Sequence, residues 1–342
     1  MTRPEGPAAP LRRSEVAMAT VAMLMAVAGF AAFAGSRVPA GQAAWASLVF
    51  AALFVPLAAL SVERWVDDLT GWLAPSRPLR TGMLLAVAIA LATIPAVAIG
   101  TVSAKPVLWI AGAGGLTIAL LGDRDVASDP MRHAVRLALV MLALWIPSEL
   151  GLLHGLPLPA GSMQGALEAG RLLVLNLGLV LFLAVAPLPD VGYTFRFRRL
   201  DLLAAGVSLI AFAAVAIPLG LAIGFIHWGP VPFDAVTWLV TGLAIYFFTA
   251  VPEELLFRGA LQNLVERRWP GRHSRTASLL LAAFVFGATH LNNRPAPNWR
   301  YMLLATLAGL AYGWVWQRTR RVSASALTHA AVDWIWVTAF RG

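Results

Sequence analysis

The chain has 342 residues, 59% of them hydrophobic and only 13% charged, with a mean hydropathy of +0.74. Soluble domains of this size do not have that balance; bundles of membrane-spanning helices do. The net charge of +9 comes almost entirely from arginine, and there is no cysteine, which excludes disulfides, thiolate metal sites and a cysteine nucleophile.

Apolar runs close to the roughly 20 residues needed to cross a bilayer recur near 16–35, 43–62, 83–101, 107–121, 134–153, 171–187, 202–225, 236–256, 277–293, 301–316 and 323–340. The spacing predicts an all-α polytopic membrane bundle of about 11 transmembrane helices, or 10 if the third and fourth runs fuse. The first run is too long, and too weakly flanked by cleavage-site features, for a signal peptide. Arginines cluster in alternate connections: Arg3, Arg12 and Arg13; Arg64, Arg77 and Arg80; Arg124 and Arg132; Arg196, Arg198 and Arg199; Arg267, Arg268, Arg272 and Arg275; Arg318, Arg320 and Arg321. The connections between them hold little beyond Arg37, Lys105, Arg294 and Arg300. This positive-inside alternation places the N-terminus in the cytoplasm and the C-terminus outside, as in a multi-pass protein of a bacterial inner membrane. The basic excess is topological, so the expected partner is the lipid bilayer and not nucleic acid.

Residues 186–201, APLPDVGYTFRFRRLD, interrupt the apolar rhythm with prolines, a glycine and a run of arginine and aspartate. They divide the chain into an N-terminal six-helix region, 1–189, and a second domain, 190–342. The first region holds few intramembrane polar residues, chiefly Glu149, Glu168 and Asn176, and the chain shows no internal repeat. The small residues of AGAGG at 111–115 and GLAYG at 309–313 offer faces for close helix packing.

Ionisable groups inside a bilayer are costly and face a cavity or a partner. In the last four spans they fall in three places: Glu253, Glu254 and Arg258; His290; and His329 with Asp333. Glu254 and Arg258 are four residues apart and can pair on a helix, as can His329 and Asp333. Glu253 lies about 100° round the axis from Glu254 and need not share the arginine. The midpoint of Glu253 and His290 falls in RWPGRHSR, at the Pro270–Gly271 turn. Two antiparallel helices leaving that turn bring the carboxylate and the imidazole to nearly equal depth. Such a pair can polarise a water molecule, with His329 as a further donor for a developing oxyanion. Spacing alone leaves an ion or proton pathway open, and His133, His154, His227 and His273 read as interfacial residues near helix ends.

Together these residues resemble the CAAX-protease and bacteriocin-processing (CPBP, or Abi) family of intramembrane proteases. Its EExxxR motif is matched by Glu253, Glu254 and Arg258, its FxxxH by Phe286 and His290, and its final His with Asn or Asp four residues on by His329 and Asp333. The resemblance covers roughly residues 195–342. It implies a glutamate-dependent endopeptidase acting on a membrane-anchored protein or hydrophobic peptide. Glu253 would activate water, His290 would position it, and His329 and Asp333 would hold the oxyanion side. Arg258 would fix Glu254 and the cavity wall. No cofactor is expected; the alternative is zinc held by Glu253, His290 and His329, although no HExxH is present. One position departs from the pattern of prenyl-protein proteases, which carry Asn where this chain has Asp333. Here the aspartate is expected to accept a hydrogen bond from His329 and orient that ring. Two other functions fit the same residues: a non-catalytic peptide-binding or bacteriocin-immunity protein, and a proton-coupled transporter.

Overall fold

The computed structural model describes residues 9–98, 103–121, 130–152, 156, 169–232, 234–269, 271–293 and 295–341. The described residues are almost wholly helical: α1 (Ala9–Gly35), α2 (Ala40–Ala59), α3 (Glu63–Leu73), α4 (Arg77–Ala98), α5 (Ala104–Leu121), α6 (Pro130–Glu149), α7 (Ala169–Val180, extended by a π turn at Leu181–Val185) and α8 (Arg199–Ala222). There follow α9 (Ala235–Ile245), α10 (Val251–Glu254), α11 (Asn263–Arg268), α12 (Ser274–Thr289), α13 (Trp299–Thr319) and α14 (Val322–Ala339). The described parts of the apolar runs lie on these helices and on the turns that extend or join them. Among the described residues five helices are long and apolar enough to cross a membrane: Ser14–Gly35, Ala40–Ala59, Ala104–Leu121, Arg199–Ala222 and Thr237–Arg268. The chain is a helical integral membrane protein.

Two features differ from the expected pattern. Helix α3 lies in what reads as a connection: its mixture of Glu63, Arg64, Asp67 and Asp68 with Trp65, Trp72 and Leu73 is amphipathic rather than apolar, so a search for spanning runs passes over it. The apolar run that ends at 256 does not end its helix, which continues through the charges to Arg268.

The chain forms two compact units. The first comprises 1–123, 153–187 and 193–197. In it Phe30 stacks on Phe50 at 4.3 Å, and the buried Asn176 donates from Nδ2 to the carbonyls of Leu53 and Leu172 at 2.7 and 3.0 Å. A polar side chain in the bilayer is thus satisfied by backbone. Glu168 and His154 lie outside the described residues, as do the side chains of Glu149 and His133.

The second unit comprises 124–152, 188–192 and 198–342, so α6 falls with the C-terminal helices. Trp145 of α6 meets Phe257 edge-on at 6.3 Å. The centre holds Phe257, Phe286, Ala305, Ala308 and Tyr312. Lipid tails are as apolar as these side chains, so what holds such a core is close packing and hydrogen bonding rather than escape from water. Helices α12 and α13 approach through small residues. A methyl group on Gly309 would lie 2.8 Å from the Cα of Ala283, and one on Gly287 would lie 2.7 Å from the carbonyl oxygen of Met302. Gly309→Ala is therefore expected to destabilise the unit by about 1–3 kcal/mol. Gly206→Ala on α8, with open space around it, is expected to be neutral; comparing the two in denaturant titrations of the micellar protein checks this.

One end of this unit gathers arginines. Arg198 donates to the Thr319 carbonyl at 3.0 Å, Arg321 bonds the buried Asp201 at 3.1 Å, Arg267 bonds Asp190 at 2.6 Å, and Arg320 pairs with Glu266. At another point in the unit, β1 (His227–Trp228) pairs antiparallel with β2 (Phe340–Arg341), tying the last residues to the segment that follows α8.

Candidate active site

The helix from Ala235 to Arg268 is wound unevenly, with π turns at Tyr246–Ala250 and Leu255–Gln262 on either side of the four α-helical residues Val251–Glu254. Pro252 accounts for the first. It has no N–H to donate, and in a regular helix its ring collides with the carbonyl four residues back, so the preceding turn widens. Such π turns occur often at functional sites.

Within Val251–Glu254 the two glutamates point different ways, as a 100° step requires. Glu254 is fully buried. Its Oε1 accepts from Arg258 Nη1 at 2.9 Å and lies 2.9 Å from His329 Nδ1, while its Oε2 accepts from the Ser325 hydroxyl. The Arg258 guanidinium, equally buried, also donates from Nη2 to the Gly309 carbonyl at 3.0 Å and lies 4.7 Å from the centre of the Phe286 ring. One turn on, Gln262 donates to the Gly313 carbonyl at 3.2 Å. The glycines of GLAYG thus expose the backbone that these two side chains grasp. By contrast the side chain of Glu253 is 34% exposed and lines a cavity of about 140 Å³.

His290 caps α12 and lines the same cavity. Its helix packs antiparallel to the Glu253 helix about the turn at Gly271, whose φ of +88° suits glycine; Pro270 itself lies outside the described residues. Phe257 and Phe286 meet across this pair of helices at 5.1 Å, and four residues further along each arm stand Glu253 and His290. The His290 Nδ1 lies 2.9 Å from the Phe286 carbonyl and 3.1 Å from Thr289 Oγ1. Since that carbonyl can only accept, Nδ1 is the donor, and Nε2 of the neutral ring carries the lone pair.

His329, on α14, is sandwiched in aromatics: Tyr312 stacks on it at 4.5 Å and Phe286 meets it edge-on at 5.7 Å. With Nδ1 against Glu254, its Nε2 lies 3.4 Å from Asp333 Oδ2 and 3.8 Å from Glu253 Oε2. The imidazole within ion-pair range of Glu253 is therefore His329, and His290 shares the cavity with both. The four sequence-selected residues Glu253, His290, His329 and Asp333 all line one cavity, with Phe286 in its wall. His227 and His273 are exposed at element ends.

Three further residues belong here. Ser325 is one helical turn before His329, a signal the spacing offered. Tyr312 lies in the GLAYG segment, where the glycines draw attention first. Tyr301, whose ring meets His290 at 4.5 Å, carries no sequence signal of its own. As for zinc, among the described residues no group of three or more His, Asp or Glu is disposed to hold a metal ion, and both nitrogens of His329 already face carboxylate oxygens.

Comparison with known proteins gives one match. Residues 235–335 match the family model described as "Type II CAAX prenyl endopeptidase Rce1-like", a narrower segment than the resemblance read from the motifs, without α8. No curated protein and no solved structure matches the chain. The matched segment contains every motif residue named above, on the helices that enclose the cavity. The domain at residues 235–335 belongs to the Rce1-like CAAX endopeptidase family of membrane proteases.

Proposed function

We propose that the chain is a glutamate-dependent intramembrane endopeptidase cutting a membrane-anchored protein or hydrophobic peptide. The observation that carries this reading is the division of the paired glutamates: one is locked in a buried ion pair, while its neighbour faces a cavity shared with two histidines. Glu253 and Nε2 of His290 hold a water molecule between them. Glu253 takes a proton from it as the water oxygen bonds to the carbonyl carbon of the scissile peptide. His329 Nε2–H turns from Asp333 to donate to the oxyanion, and Glu254, 2.9 Å from Nδ1 of the same ring, holds that ring in place. The proton passes from Glu253 to the leaving nitrogen, the C–N bond breaks, and a carboxylic acid and an amine depart, the acid then giving its proton to the amine. Every group in the sequence is a side chain, so the reaction proceeds without a cofactor.

The protease reading is confined to residues 190–342 with α6 packed onto that unit; the rest of the first 189 residues form a separate membrane region. The arginine-rich end of the second unit faces the cytoplasm in this reading, which puts the N-terminus there and, with eleven spans, the C-terminus outside. Membrane proteomics tests the proposal: cells carrying the wild-type chain gain peptide termini that cells carrying Glu253→Ala do not. Identical termini in the two strains remove the protease reading and leave the non-catalytic binding protein.

Because His329 is the imidazole nearer Glu253, a second reading gives His329 the proton-sharing role. Comparing His290→Ala with His329→Ala in proteoliposomes separates them. The water-positioning role predicts a fall of about 10²-fold or more in kcat for His290→Ala at unchanged stability. A near-normal kcat for that variant, with loss confined to His329→Ala, transfers the role to His329.

A further inference from the structure

Resting on the peptidase reading, we infer that Asp333 is a specificity-determining residue that makes this site prefer substrates with a basic side chain beside the scissile bond. The cavity is apolar along most of its length, with the walls of α8 and α13 supplying Phe212, Ala216, Leu304 and Ala308. At its polar end the balance of donors and acceptors is uneven. Glu253 and Asp333, with side chains 34% and 25% exposed, share a single ring nitrogen of His329. That ring's other nitrogen is committed to Glu254, and so is the Arg258 guanidinium, which lies fully buried behind it. His290 turns its Nδ1–H toward the Phe286 carbonyl. Three carboxylates therefore meet one guanidinium. With all three ionised, the cluster keeps a surplus negative charge even when His329 is counted as a cation.

What such an end lacks is a ligand with several N–H donors and a positive charge. Charge-assisted hydrogen bonds to carboxylate are among the stronger polar contacts, and weak solvent screening in an apolar cavity raises their worth. The apolar lining next to Asp333, Val332 and Trp336, suits the aliphatic stem that carries such a head, and the Trp336 ring offers a face for the cation. An acidic substrate side chain meets repulsion at the same place, and a purely aliphatic one adds no donor to the two carboxylates that share one ring nitrogen.

The test is a matched set of peptides with lysine, norleucine or glutamate on either side of the scissile bond, cleaved by the full chain in proteoliposomes. Wild type is expected to favour lysine over norleucine by about 10–100-fold in kcat/KM, with glutamate poorest. In Asp333→Asn, whatever its absolute rate, the ratio is expected to fall to within about threefold. Equal use of lysine and norleucine by wild type, or the same ratio in both proteins, overturns the inference. Should Asp333→Asn be inactive, hexylamine and hexanol serve as probes of the wild type. The amine is expected to raise its unfolding temperature and compete with peptide where the alcohol does neither; equal behaviour overturns the inference. Failure of wild type to cleave any peptide defeats the peptidase reading instead, and the amine then reads the carboxylate pair alone.

Discussion

Glu253→Gln lowers the rate of peptide cleavage by about 10²–10⁴-fold, the usual span for removing a general base, and leaves the folded protein intact. Glutamine keeps the shape of the side chain and removes its capacity to take a proton. The environment explains why stability is spared: Glu253 is 34% exposed to the cavity, and its nearest ionic neighbour is His329 at 3.8 Å. The Arg258 network closes on Glu254 alone. Glu253→Asp retains the chemistry but withdraws the carboxylate by about one bond length, and displacements near 1 Å can cost about 10²-fold. Its rate is expected to fall between the other two. Single-turnover cleavage in proteoliposomes, paired with denaturant titration of the same preparations, measures both quantities. A Glu253→Gln protein cleaving within about threefold of wild type places the base elsewhere and ends the glutamate mechanism.

Much of this arrangement was legible because the bilayer simplifies the code. A spanning helix must be apolar for most of its length, so the helices could be read as runs, and any ionisable residue within them stood out. The same economy made the Pro270–Gly271 turn informative, since counting from it aligned Glu253 with His290. What stayed hidden were facts of tertiary packing and local winding. The π turns around Val251–Glu254 leave no mark of their own in composition; Pro252 hints only at the first. The bond from Glu254 to His329 joins residues 75 apart, and no periodicity connects them. The sequence pairs Glu254 with Arg258 four residues on and offers no sign of His329. In the structure it serves both, and Ser325 as well. The grouping of α6 with the later helices likewise depends on contacts such as Trp145 with Phe257, which cross a long interval of chain.

Arg258→Met is expected to cost about 3–5 kcal/mol, the penalty for stripping one partner from a buried ion pair. Methionine fills much of the volume, so the loss is electrostatic rather than a cavity. It removes the 2.9 Å bond to Glu254, the 3.0 Å bond to the Gly309 carbonyl, and the cation held 4.7 Å from the Phe286 ring and 5.3 Å from that of Tyr312. Among the described residues the Nε of Arg258 has no hydrogen-bond partner, so those aromatic faces are part of what makes the buried cation tolerable. Lysine is a poor replacement, because a single ammonium cannot reproduce the planar fork that reaches Glu254 and Gly309 together. The sharper test is the double variant Arg258→Met with Glu254→Gln. Neutralising the stranded carboxylate should restore about 0.5–3 kcal/mol relative to the sum of the single variants. Full additivity would mean the two residues do not act as a pair. Glu254 also accepts from His329, so the double variant should recover stability without recovering cleavage, because the ring that faces Glu253 and Asp333 has lost the carboxylate that orients it.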